Sequence, residues 1–506
     1  MVAEAAERFT YYSVRSSLLD LFTRSFHYSD ASAVAIVSFW SALCYISPIV
    51  GATLADGVWG RYTTILRGLV VYITSLVALS VSTSFVSAPF ALAALIGVAF
   101  ASGGIKPCVA PFGADQLSGA EGKDAGEALT SFYFFFYFAI NVGSCLAYFV
   151  VSAEVNALGY GGAYAICAGA VAAAMILFVL PRAKYVQTPP TRSAVLAIIR
   201  VVLAAALAHS RSAPRCCRGR KEEGRALISG KRSAAEDSAS WLDAGRGAPG
   251  VLDSDVDEAR ALGRLLPIFA ALPFFWAVYD SYGTVWQLQA RRMQLCIFPN
   301  FCIAPLQMGV TNAILVLLLI PVFDGAIVPA LRRSAKRFPW LEPTPLARMS
   351  TGMFIAAIAF ATSGLLEERI NAVGDGIINV AEQLPQYVLL TVAEVLVSTT
   401  GLEFAFVEAG PNLKSAVLAM FFLTTAAGDL LNGALYSALG ELPAAKLIWI
   451  VTVLQVVAAV FFVAVARVYV TRHAASSQGH EVVSSAASAE LVEGSSEPDR
   501  EAALKS

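Results

Sequence analysis

Acidic, basic and phenolic side chains recur along the segment Glu4–Arg15, at the start of the chain. At about 100° per residue, as in an α-helix, six of them fall within an arc of roughly 140°. These are Glu4, Glu7, Arg8, Tyr11, Tyr12 and Arg15. A helix face of this kind is ordinarily turned to water, but most of the remaining chain has the composition of helices that lie in lipid. In such surroundings a charged face must pair with other charges or line a water-filled space.

The composition indicates a membrane protein. Of the 506 residues, 57% are hydrophobic and 14% are charged, whereas a soluble domain carries about 25% charged residues. Several runs contain no Asp, Glu, Lys or Arg and reach the length of a membrane span, which needs about 20 apolar residues. They include 31–55, 128–153, 155–180 and 296–322. We therefore expect a polytopic α-helical membrane protein, and the net charge of −1 without a basic groove predicts no nucleic-acid partner.

The hydrophobic pattern predicts twelve spans in two groups of six, on either side of a long polar interval. The spans lie near 2–24, 33–55, 64–83, 88–110, 128–152, 162–181, 265–288, 303–323, 346–366, 384–406, 413–437 and 446–468. The expected organisation is an N-terminal six-helix bundle at 1–181, a cytosolic linker with a surface helix at 182–261, a C-terminal six-helix bundle at 262–470 and a disordered cytosolic tail at 471–506. Basic residues are concentrated in the linker, so the positive-inside rule puts the linker and both termini in the cytosol.

Further charges fall within the predicted spans of both halves. They are Lys106, Asp280, Asp324, Glu394, Glu403 and Asp429. A charge at a helix centre costs about 2.5–3.5 kcal/mol on insertion scales, so charges of both signs in several spans suggest a polar pathway with exchangeable pairs. The alternative is a set of static structural ion pairs, and we favour that interpretation for Asp324 and Asp429, which lie near span ends.

The cysteines and histidines do not form a recognisable metal or catalytic site. Cys296 and Cys302 flank a short loop and can form a disulfide if that loop faces an oxidising compartment, or remain free thiols otherwise. The four histidines lie outside the middle of the spans. We therefore expect a protein that is not an enzyme and that holds no metal.

Several motifs then carry a resemblance to a known family. The first span has Glu4-x-x-Glu7-Arg8-Phe9-x-Tyr11-Tyr12, and the others lie at 51–61, 103–116, 132–144, 275–280 and 394–405. With these motifs in order, the chain resembles the proton-coupled oligopeptide transporters, the peptide transporter family of the major facilitator superfamily, which in plants also includes nitrate carriers. The resemblance implies an all-α membrane protein of the major facilitator fold, with twelve transmembrane helices in two six-helix bundles.

The resemblance also implies roles for residues of both halves. The proton-coupling residues would be Glu4, Glu7, Arg8, Lys106 and Asp280. The substrate-binding residues would be Tyr11, Tyr12, Arg15, Lys106, Asn141, Phe275, Trp276 and Glu394. Lys106 would pair with Glu394 when the inner side is closed, Arg15 with Asp280 when the outer side is closed, and Arg264 with Asp324 as a structural pair. The coupling proton would take the place of a cofactor.

Three departures from the family pattern stand out. Ser38 stands where mammalian-type members carry a histidine, so proton coupling must rest on carboxylates. The sequence Asp280-Ser281-Tyr282-Gly283 replaces Asp-Gln-Gln-Gly, which bears on the range of substrates. Only three residues precede Glu4, so we expect the first helix to lack its usual opening turns.

Taken together, these features predict a monomeric, lipid-embedded symporter that moves di- and tripeptides with protons by alternating access, in the plasma membrane or an organelle membrane. A carrier of nitrate or another small solute on the same scaffold is the nearest alternative. The intact Glu-x-x-Glu-Arg motif and Glu394 argue against it, because an anion needs no carboxylate partner. A nutrient sensor that does not transport is a second alternative.

Overall fold

The computed structural model describes residues 2–117, 123–190, 193–212, 241–337, 342–409 and 413–493. The helices are α1 Val2–Asp20, α2 Asp30–Leu54, α3 Arg61–Ser84, α4 Ala88–Asp115, α5 Lys123–Val179, α6 Ala194–Ser212, α7 Asp253–Phe269, α8 Leu272–Asp280, α9 Val285–Arg291, α10 Val310–Val322, α11 Val328–Ala335, α12 Pro345–Val373, α13 Leu384–Glu394, α14 Thr400–Ala409, α15 Lys414–Leu439 and α16 Ala444–Glu493. A short antiparallel hairpin pairs β1 Cys296–Phe298 with β2 Phe301–Cys302.

The membrane-crossing segments follow from these helices. In the described ranges, nine helical segments are long and apolar enough to cross a membrane, and the bent pair Asp253–Phe269 with Leu272–Arg291 makes a tenth. Two more crossings are not among these ten. One is α1, which is too polar, and the other arises because α5 is two helices joined at Gly159, whose φ of 69° breaks the helical path. With these two, the described residues contain the twelve transmembrane helices of the predicted fold.

The seventh crossing differs from its prediction of one helix at 265–288. It starts at Asp253, twelve residues earlier, and α7 meets the following helical segment at an angle of 57°. Pro273 lies in the first turn of α8, where the backbone N–H that proline lacks would have no partner within the helix. Proline cannot continue the preceding helix, because it supplies no N–H for the helical hydrogen bonds. This bend carries the start of the second half from the linker into the membrane.

The two halves pack as separate bundles that meet along α2 and α15. In the first half α1 packs on α5, and α4 packs on both α2 and α3; in the second half α12 packs on α16, and α8 on α15. The closest approach in the first half brings Gly51 of α2 against the backbone of Gly103, where a Cβ atom would collide. This approach requires glycine and fixes the position of Lys106, one turn further along α4.

We name the two ends of the bundle by what lies there. The hairpin end carries the β1–β2 hairpin, closed by the Cys296–Cys302 disulfide, together with the C-terminal end of α1. The linker end carries α6 and the N-terminal end of α1. A small second core, made of Val201, Leu242, Val256 and their neighbours, holds α6 against α7 at the linker end.

Helix α16 runs on to Glu493, beyond the last predicted span. Residues 494–506 lie outside the described residues, and the disorder expected for 471–506 stays a prediction. The segment is rich in alanine, serine and glutamate. Alanine and glutamate favour helix, and a helix that extends an existing one needs no new nucleus.

Candidate functional site

Helix α1 places a cluster of charges inside the first half. Glu4 and Glu7 are buried, with 4% and 1% of their surface exposed. Arg8 Nε donates to Glu7 Oε2 at 2.5 Å and lies 3.3 Å from Glu4 Oε1. The Ser102 hydroxyl of α4 donates to Glu7 Oε1 at 2.7 Å. One guanidinium thus serves two buried carboxylates, and such a cluster can take up a proton with little rearrangement.

Lys106 lies beside this cluster and has no hydrogen-bond acceptor within the part of the chain that the structure describes. Its Nζ lies 4.0 Å from the centre of the Tyr11 ring and 5.0 Å from that of Tyr45. A cation over the face of a phenol ring is attracted by about 0.5–2 kcal/mol, which does not replace a carboxylate. The ammonium is therefore held in place and remains available to an anionic ligand.

Glu394 is the acidic group of the second half. Its carboxylate accepts hydrogen bonds from the Tyr279 hydroxyl at 2.8 Å and the Asn312 amide at 2.9 Å. The Thr391 hydroxyl, one turn earlier on α13, accepts the other Asn312 hydrogen at 3.1 Å. Both donors are neutral, and no cation is in contact with Glu394 among the residues that the structure describes.

Tyr12 lies between the charges of the two halves. Its ring centre lies 5.3 Å from that of Tyr11, the ring over which the Lys106 ammonium lies. Its ring lies 5.8 Å from that of Tyr148, whose hydroxyl is 3.3 Å from the hydroxyl of Tyr282. The tyrosines thus make a continuous wall of contacts from α1 to Tyr279, the residue that donates to Glu394.

Arg15 and Asp280 form a buried ion pair between the halves, in which Arg15 Nη2 donates to Asp280 Oδ1. Their residues are 6% and 4% exposed. Lys106 and Glu394 do not pair with each other. Lys106 lies over the Tyr11 ring, and Glu394 accepts from Tyr279 and Asn312. Of the two gate pairs that the resemblance implies, the structure thus holds the one towards the hairpin end and not the other.

A second ion pair between the halves was not predicted. Arg291, at the end of α9, contacts Asp20, at the end of α1, and also donates to the Thr23 hydroxyl at 3.1 Å. Asp30 lies 3.7 Å from it. All the ion pairs that join the halves within the described ranges lie towards the hairpin end, so the structure is closed at that end.

The remaining predicted residues support this arrangement. Phe275 is fully buried and stacks on Tyr279 at 6.1 Å, and Trp276 Nε1 donates to the Thr424 hydroxyl at 3.1 Å. These contacts fix the tyrosine that holds Glu394. Asn141 is buried in α5. The predicted pairing of Arg264 with Asp324 involves a side chain outside the described part of the chain, that of Asp324.

Sequence reasoning missed Ser102, Tyr279 and Asn312, and it noted Tyr282 only as a departure from the family pattern. A signal was present for Asn312, since an amide in the apolar run Val310–Val322 must find partners there. The tyrosines gave no such signal, because a phenol is equally at home in a packed core. Asp429 was expected in a static ion pair, and the described chain places no cation in contact with it.

Comparison with known proteins gives a consistent family. A profile described as the POT family matches residues 62–450. Peptide transporter 3 of Caenorhabditis elegans is 31% identical over 380 residues, which are 73% of this chain and 50% of that protein. Protein NRT1/PTR FAMILY 8.5 of Arabidopsis thaliana is 28% identical over 469 residues, 85% of this chain and 79% of that protein.

The fold comparison agrees. A crystal structure of an auto-inhibited POT family peptide transporter matches with a TM-score of 0.74 and 27% identity, over 92% of this chain and 95% of that one. The chain spans about half the length of the animal transporters that it matches. Because the family profile covers most of the sequence and the helices follow the same path, the chain belongs to the POT family and is a multi-pass integral membrane protein.

Proposed function

We propose that this protein is a proton-coupled symporter of di- and tripeptides that works by alternating access. It acts as a monomer surrounded by lipid, with both termini in the cytosol. One observation carries the proposal. Lys106 and Glu394, a basic and an acidic group without ion-pair partners among the described residues, come from different halves and contact opposite ends of the same tyrosine wall.

This arrangement suits a short peptide, which is a zwitterion with its charges at a fixed separation. Its carboxylate fits the cationic side formed by Lys106 and the arginines of α1, since guanidinium and carboxylate make bidentate hydrogen bonds. Its ammonium fits Glu394. A ligand that contacts both Lys106 and Glu394 draws the bundles together. Part of its binding energy then stabilises the form that is closed at the linker end.

The proton has a natural place on α1. Glu4 and Glu7 share Arg8, and protonation of either carboxylate frees part of the arginine for the peptide. The energy is sufficient, because a proton that moves down roughly 100 mV releases about 2.3 kcal/mol. One pH unit adds about 1.4 kcal/mol, and the sum supports accumulation of about 500-fold.

Two observations support the orientation. The disulfide Cys296–Cys302 lies at the hairpin end, and disulfides persist on the oxidising side of a membrane. The basic linker lies at the other end, which the positive-inside rule assigns to the cytosol. The structure, closed at the hairpin end, then corresponds to the form that is shut to the outside. The proposed location is the plasma membrane or an organelle membrane.

The test is uptake of a labelled dipeptide into liposomes that contain the purified protein. An inward proton gradient with a negative interior should drive accumulation, and a protonophore should abolish it while leaving exchange of labelled for unlabelled peptide. Uptake that is independent of the pH gradient would refute the proposal.

The same liposomes address the nitrate alternative, which the name of the plant relative raises. Excess unlabelled dipeptide should compete with the label, and excess nitrate should not. Competition by nitrate alone would favour the anion carrier, and binding of peptide without flux would favour the sensor.

A further inference from the structure

A carboxylate that the proposed function does not use lies next to the closed hairpin-end gate. Asp429 of α15 has 0% of its surface exposed. Neither of its oxygens has a hydrogen-bond partner of ordinary geometry among the residues that the structure describes. An ionised carboxylate without donors is very costly to bury, and in proteins such a group takes up a proton instead.

The groups around Asp429 do not supply the missing positive charge. Those that face it are Asp280 from α8, Arg15 from α1, and the Cys44 thiol and Ser41 hydroxyl from α2. Arg15 already donates to Asp280 Oδ1, while Asp280 Oδ2 has no partner in the described chain. Two buried carboxylates therefore share one guanidinium, which leaves one negative charge to be neutralised.

We propose that Asp429 holds a proton whenever the hairpin end is closed. The acceptor is a carboxylate oxygen, and the proton comes from the outer solution. Both carboxylates belong to the second half, whereas Arg15 and Ser41 belong to the first. When the halves separate at this end, the carboxylates face water and can be charged together. When the halves close, like charges in a dry site cannot both persist.

This proton is a gating proton, distinct from the one carried by the glutamates of α1. It binds as the hairpin end closes and returns to the outer solution as that end reopens. External acid then favours the closed gate. By linkage, the ratio of closed to open carriers changes by at most about tenfold per pH unit for one proton. The inference rests on the proposed alternating-access cycle but not on the identity of the solute.

The experiment measures the gate without any substrate. Spin labels are introduced as genetically encoded amino acids at Phe85 and Ile377, exposed positions at the hairpin end of each half. Distances between the labels, measured by double electron–electron resonance in nanodiscs, give the fractions of closed and open carriers from pH 5 to 9. In the unmodified chain the closed-to-open ratio should fall as the pH rises, by up to about tenfold per unit. A ratio independent of pH would overturn the proposal.

Two substitutions assign the effect. Asp429→Asn imitates the protonated acid, and its gate should stay closed at every pH. An unchanged pH dependence in this variant would overturn the proposal. The control is Glu367→Gln, another buried acid at the hairpin end, which pairs with Arg292 outside the site. Glu367→Gln should keep the pH dependence of the unmodified chain. If this control variant loses the pH dependence, the response does not belong to Asp429.

A second measurement covers the case in which the asparagine variant does not fold. Infrared difference spectra of the closed carrier should contain the carbonyl stretch of a protonated carboxylic acid, shifted in Asp429→Glu. A spectrum without that band, or a band that Asp429→Glu leaves in place, would overturn the assignment. The proposed function fails separately, if the unmodified carrier shows the gate response but transports no peptide.

Discussion

The contact between Asp20 and Arg291 gives the sharpest test of how the two halves are held together. Asp20 belongs to the first half and Arg291 to the second, and neither lies in the substrate site. The contact exists only while the hairpin end is closed. Its loss should therefore favour carriers that are open at that end without directly weakening the binding of substrate.

The magnitude follows from the burial of the two groups. The side chains of Asp20 and Arg291 are 7% and 17% exposed. Removal of one partner from a fully buried pair costs about 3–5 kcal/mol. We expect about 2 kcal/mol for Arg291→Gln, because Arg291 is partly exposed and the remaining Asp20 keeps Arg24 at 4.0 Å. The ratio of closed to open carriers should then fall by about 30-fold.

The assay uses the spin labels at Phe85 and Ile377 at constant pH. Arg291→Gln and Asp20→Asn should each broaden the distance distribution towards longer values. The exchanged pair, Asp20→Arg with Arg291→Asp, should restore much of the short distance, because the attraction between the two positions is regained.

A double-mutant cycle separates this contact from general damage. If the contact acts as a gate, the double variant Asp20→Asn with Arg291→Gln costs less than the sum of the single changes. Fully additive effects, or an unchanged distance in both single variants, would refute the reasoning that this ion pair holds the hairpin end closed.

Three further predictions concern the site and its scaffold. Glu394→Gln should weaken dipeptide binding by about 30-fold, the loss of about 2 kcal/mol from a charged hydrogen bond, with normal expression. Equal affinity in a binding assay would remove Glu394 from the site. Glu7→Gln should abolish proton-driven accumulation and spare exchange of peptide; if accumulation persists, Glu7 is only structural. Gly103→Ala should destabilise the carrier by about 1–3 kcal/mol, since a Cβ there collides with Ser47 of α2. Gly57→Ala is the matched control, because nothing lies within 4 Å of its Cβ position, and equal melting temperatures for both variants would contradict the close approach.

The parts of the fold that depend on hydrophobicity could be read from the sequence. An apolar run in lipid must satisfy its backbone within its own helix, so charge-free runs locate helices with little ambiguity. The face of α1 was predictable for the same reason, since periodicity determines which residues share a face. The break before Pro273 was less evident, because a proline fits the first turn of a new helix as well as it ends an old one.

The partners of the charges could not be read in the same way. Arg291 counts in the sequence only as one basic residue in a loop, and nothing local points to Asp20, 271 positions away. Asp429 was assigned to a static pair because it lies near a span end. Its burial depends on how α15 packs against α2 and α8, which one sequence does not reveal. Pattern fixes the helices, whereas tertiary packing decides which charges remain uncompensated.

The unaccompanied ammonium of Lys106 has a thermodynamic consequence. Together with Arg8 it balances Glu4 and Glu7, so the pocket at the start of α1 is electrically neutral when all four are ionised. A hydrogen ion added there leaves one surplus positive charge, and the anionic end of an incoming solute compensates it. The bound proton thereby raises the affinity for the solute, and the bound solute raises the affinity for the proton by the same factor, because coupling free energies are reciprocal. In the proposed symport, charge neutrality alone would then couple the binding of the proton to that of the solute.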